Sequence, residues 1–130
     1  MTIWHASIIR ILRESGLFLE VKLAGGKVRA ILGATRFLDV HFDPTSKSYS
    51  YAVINLTLPY AGDKRLFGWD DFPHPDYEAL TSLTSYPHHF QERLSNGTWQ
   101  FSESSFHGDV ENEIHEVISF IRQRNLSKIE

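Results

Sequence analysis

Between Trp69 and Phe90 the chain reads WDDFPHPDYEALTSLTSYPHHF, a stretch holding three of its seven histidines, two adjacent carboxylates and three prolines. Histidine titrates at roughly pH 6.5, so near neutrality it serves as acid, base or metal ligand. Pro73, Pro75 and Pro87 lack amide donors and restrict the residues before them, which rules out one continuous helix or central strand here. A loop is predicted over 70–90, with its polar side chains available for chemistry. The expected chemistry is proton transfer by these imidazoles with no cofactor and no resident metal. The metal alternative uses the same atoms: Asp70, His74 and one of His88 or His89 form a two-histidine, one-carboxylate set suited to zinc, iron or manganese. That spacing matches no standard zinc motif, and Pro73 argues against Asp70 and His74 sharing a helix face. In an extended chain His88 and His89 point to opposite sides, so only one of them joins a given site. A purely structural reading stands beside both. Loop histidines satisfy backbone groups that prolines leave unpaired, aromatics such as Phe72, Tyr77 and Tyr86 seal a sheet edge, and Asp71 is a turn residue.

The elements that must position this loop follow from periodicity. Trp4, Ile8, Ile11 and Leu12 form one apolar stripe, predicting a helix over 2–15 with Thr2 as cap and Gly16 as terminator. A β-meander is predicted over about 17–70. GLFLEVKL alternates, AGGK supplies a hairpin turn, RFLDVHFD alternates again, and SYSYAVINLTLPY is rich in aromatic and β-branched residues. A further hairpin at about 88–103 turns at Ser95-Asn96-Gly97. Val110, Ile114, Val117, Ile118 and Ile121 mark a helix over about 109–124, acidic at its start and basic at its end as the helix dipole favours. The sum is a single α+β domain over 1–130, a largely antiparallel twisted sheet with an N-terminal and a C-terminal amphipathic helix. His5 and His115 fall on the helices, His41 on a strand and His107 at a helix entry, all read as outside the site.

Composition excludes several classes. The 130 residues are 42% apolar, enough for one core, and include no cysteine, which removes disulfides, thiolate ligands and a cysteine nucleophile. A net charge of −3 disfavours non-specific coating of nucleic acid, and Lys22, Lys27, Arg29 and Arg36 read as a solvated sheet face. No apolar run approaches a membrane span and no signal-peptide pattern opens the chain, so a cytoplasmic protein with no membrane partner is expected. There is neither a GxSxG elbow nor a phosphate-cradling P-loop.

Three strings carry a family likeness: YSY at 49–51, LFGWDDFPHP at 66–75 and SYPHHF at 85–90. Together with the terminal helix they resemble the TumE-type toxins of bacterial and archaeal toxin–antitoxin modules, over roughly residues 17–122 and densely only between 65 and 91. The resemblance implies a toxin whose partner is a small DNA-binding antitoxin, with RNA as a substrate; a homodimer is a separate expectation. Its polar signature falls on Asp70, His74, His88 and His89, with Arg65 and Trp69 beside it. The chain departs from the pattern in having one histidine before Pro75 instead of a pair, and Phe90-Gln91 where a basic residue or histidine is usual.

For an RNA-cleaving enzyme, a base must take the 2′-hydroxyl proton, an acid must protonate the departing 5′-oxygen, and a cation must offset phosphorane charge. His74 and one of His88 or His89 are expected to divide the proton transfers. Asp70 would orient an imidazole, Arg65 would bind phosphate, and Trp69 or Tyr86 would stack on a base. The competing expectation is a non-enzymatic module that binds a protein or ligand, with the loop purely structural. The mild negative charge favours it.

Overall fold

The structure is a computed structural model and describes residues 2–124. The chain runs α1 (Ile3–Glu14), β1 (Glu20–Ala24), β2 (Lys27–Ile31), β3 (Arg36–Phe42), β4 (Tyr49–Asn55), β5 (Arg65–Asp70), α2 (Glu78–Thr81), β6 (His89–Arg93), β7 (Trp99–Ser102) and α3 (Val110–Arg124). The seven strands pair in sequence order and every pairing is antiparallel, so the sheet is an uninterrupted meander. This is the expected α+β architecture.

Helix α1 begins where Thr2 closes a capping box with His5, and Gly16, at φ +71°, follows its C-cap Ser15. It buries Ile8, Ile9, Ile11 and Leu12, while α3 buries Val110, Ile114, Val117, Ile118 and Ile121. The two helices contact each other and share one core with alternate residues of the strands, among them Val21, Val28, Leu38, Val40, Tyr51, Val53 and Phe67. Both helices therefore cover the same face of the sheet. Among the described residues no helix is long and apolar enough to cross a membrane.

The opposite face is where the loop goes. Period-two alternation sends Asp70, His89 and Gln91 there because Trp69 and Phe90 face the helices. The segment between β5 and β6 folds back over this face: α2 packs on β7, Leu80 is fully buried, and the Tyr77 ring lies 5.2 Å from that of Phe101. The loop expected over 70–90 is shorter at both ends than its sequence suggested. Asp70 closes β5, His89 and Phe90 open β6, and the spacer holds α2 between Pro75 and Pro87. Those strand ends carry two of the polar residues on rigid backbone instead of on the loop.

Candidate functional site

Register builds the site before any side chain is considered. His41 pairs with Ser50, Ser50 with Asp70 and Asp70 with His89, so one row of polar residues crosses β3, β4, β5 and β6. Neighbouring strands lie about 4.8 Å apart, which spaces the row evenly over the sheet. His74 descends onto this row from the loop. Its ring centroid is 6.1 Å from that of His89, and ligand atoms of Asp70, His74 and His89 all fall within 4.8 Å of one another.

Arg65 reaches the cluster through an irregularity. It lies five positions before Asp70, an odd offset that would put the two on opposite faces of a regular strand. Pairing shifts between Val53 and Ile54, which oppose Phe67 and Arg65 and leave Leu66 as the extra residue. The bulge turns Arg65 over, and its Nη1 donates to Asp70 Oδ2 at 2.7 Å. The Phe72 amide donates to the other carboxylate oxygen at 2.9 Å. Asp70 is 4% exposed, so these donors supply what solvent would.

His89 is fully buried. Its Nδ1 lies 2.8 Å from the Pro87 carbonyl, and a carbonyl only accepts, so Nδ1 carries a proton. Nε2 faces the Gln91 side-chain oxygen at 2.8 Å and Asp70 Oδ1 at 3.3 Å. His74 is half-buried, and that burial pushes its imidazole below the usual histidine value, opposed by the nearby Asp70 charge. A pocket of about 320 Å³ opens above the row, lined by His41, Asp63, Arg65, Asp70, Asp71 and His74 among others.

Three expected site residues lie elsewhere. His88 points to the helix face, stacks on Tyr49 and has its Nδ1 2.9 Å from that hydroxyl, which itself donates to the Phe106 carbonyl. Trp69, expected to stack on a base, is 7% exposed and packs among Phe67, Phe90, Phe106 and Phe120. Its parity is the reason: next to an Asp70 on the open face, it must face the core. Tyr86 spends its hydroxyl on the Pro73 carbonyl at 3.1 Å, tying the two ends of the loop together. Asp71, expected to be a turn residue, instead ties across to the start of β4, accepting from the Ser48 hydroxyl at 2.8 Å and the Tyr49 amide at 3.4 Å, and it also lines the pocket.

His41 was read as outside the site and lies on its rim. The strand periodicity already put it on the same kind of face as Asp70; strand order and register supply the rest. Of the basic residues in the first strands, Lys22 and Lys27 are exposed, whereas Arg29 grips the buried Asp39 through two hydrogen bonds of 2.8 and 3.0 Å.

No protein-family model, curated protein or solved structure matches the chain.

Proposed function

We propose that the protein cleaves RNA in the pocket above Asp70 and acts inside the cell as the toxin of a toxin–antitoxin module, neutralised by a small DNA-binding antitoxin. The toxin and RNA parts rest on the resemblance of the YSY, LFGWDDFPHP and SYPHHF strings. The observation that supports chemistry at this place is that His74 and Asp70 meet in the lining of an open pocket that Arg65 and His41 also line.

Transesterification of RNA asks for two proton transfers on opposite sides of phosphorus and for positive charge near the non-bridging oxygens. His89 is sealed from solvent and does not touch a substrate. The two imidazoles open to the pocket are His74 and His41, and Arg65 is the cation beside them. His74 serves the attacking side, next to Asp70, and His41 the leaving side, two strands away. Asp70 and His89 hold this arrangement from below.

The test is incubation of purified protein with mixed RNA at neutral pH, in parallel with chelator and with added divalent cation. New fragments ending in 2′,3′-cyclic phosphate, lost in His74→Ala, support the reading. RNA that stays intact under both conditions overturns it and favours a module that binds without breaking bonds.

A further inference from the structure

The pocket is short of positive charge for a phosphodiester. Asp63, Asp70 and Asp71 line it, and the one arginine on its wall is already paired with Asp70. A phosphate entering it meets two carboxylates with no cation opposite them. His89 presents a second shortfall. With Nδ1–H given to the Pro87 carbonyl, Nε2 faces two oxygens, Gln91 Oε1 at 2.8 Å and Asp70 Oδ1 at 3.3 Å, a gap that a proton or a cation fills. A cation between them resolves both.

We infer that Asp70, His74 and His89 form a binding site for one divalent transition-metal ion, with open coordination positions facing the pocket. The 3.3 Å between His89 Nε2 and Asp70 Oδ1 is already the edge of a coordination tetrahedron whose metal–ligand bonds are about 2.1 Å. His74, on the loop, closes the remaining gap from within 4.8 Å. Histidine ligands ordinarily donate their other ring nitrogen to a carbonyl or carboxylate, and the His89–Pro87 bond is such a support. Asp70 is held likewise by Arg65 and the Phe72 amide. Two imidazoles and one carboxylate suit zinc, manganese or ferrous iron better than magnesium or calcium.

The inference deepens the RNA reading by naming its cofactor. A bound ion lowers the pKa of its water towards about 7. Held by Asp70, His74 and His89, the ion would supply that hydroxide as the base for the 2′-hydroxyl proton, with His74 then a ligand and not the base. The 2′-oxygen bonds to phosphorus, the bond from phosphorus to the 5′-oxygen breaks, and protonated His41 gives its proton to the departing oxygen.

Calorimetric titration of chelator-treated, dialysed protein with zinc and with manganese, without RNA, tests the site. The expected result is one ion per chain, with affinity falling about tenfold or more in Asp70→Asn and His74→Ala, and unchanged in His115→Ala on the exposed side of α3. His74 is only half-buried, so its variant is the one that keeps its fold, checked by circular dichroism. Zinc-induced shifts of the His74 and His89 ring signals in NMR give a readout independent of any variant. No binding to the wild type, or binding unchanged in folded His74→Ala, overturns the site. Ion binding without RNA cleavage leaves the site standing and removes the RNA reading; cleavage undiminished in chelator together with no ion binding does the reverse.

Discussion

Asp70 and His89 are direct partners across β5 and β6, and their side chains meet at 3.3 Å beneath a loop that brings His74 to the same point. Two of the three polar groups at the centre are thus fixed by sheet register, and only the third depends on loop conformation.

Asp70 is a buried carboxylate facing a guanidinium and an imidazole, so Asp70→Asn leaves Arg65 without its counter-ion. Breaking one side of such a pair costs about 3–5 kcal/mol when burial is complete, and Arg65, at 21% side-chain exposure, keeps some solvent. Denaturant unfolding is expected to show a loss of about 2–4 kcal/mol. Wild-type stability in this variant would mean that the Arg65–Asp70 pair holds nothing in place.

His74 and His88 are expected to separate cleanly. His74→Ala should lose RNA cleavage with little change in melting temperature. His88→Ala should keep the chemistry but unfold more easily, because it removes a ring stacked on Tyr49 and a hydrogen bond to that hydroxyl; the bond alone is worth about 0.5–1.5 kcal/mol. Activity and thermal melts measured on both variants check the pattern, and the opposite assignment would exchange their roles.

Trp69 is a core residue in this account. Trp69→Ala is expected to destabilise the fold by about 3–5 kcal/mol, whereas Trp69→Phe should retain most of the stability and all of the RNA affinity. A Phe variant that folds well yet binds RNA poorly would restore a stacking role to the indole.

Glu103 ties the loop down from the strand side, accepting from the amides of Thr84 and Ser85 and from the Thr84 hydroxyl. Those donors hold its carboxyl down at about 2. A depressed carboxyl stabilises above its unfolded value and loses that contribution as pH falls towards the folded one, so the tie weakens between about pH 4.5 and 2. Hydrogen exchange of the Thr84 and Ser85 amides should quicken across that window. In Glu103→Gln it should be fast and nearly independent of pH beyond the intrinsic rate.

The sequence carried the fold well because its signals are periodic: the stripes of α1 and α3 and the alternation of the strands need no tertiary information. It carried the site partly. Asp70 and His74 stand beside the prolines that mark the loop, and opposite orientation of His88 and His89 follows from an extended backbone, although which of the two faces Asp70 depends on register. Strand parity was sufficient to move Trp69 into the core once Asp70 was placed on the open face. Arg65 was found through the resemblance alone, since its orientation depends on the bulge at Leu66. His41 needed the full row through Ser50 to Asp70 and His89, a relationship spread over four strands with no local mark in the chain.

The central claim is that the pocket lined by Asp70 and His74 breaks RNA. It is tested most directly by single-turnover cleavage of a labelled RNA by wild type and His74→Ala, each first shown to be folded. The account predicts cleavage by the wild type and a loss of about 100-fold or more in the variant. A folded variant that cuts at the wild-type rate, or a wild type that leaves the RNA whole with and without divalent cation, would contradict it.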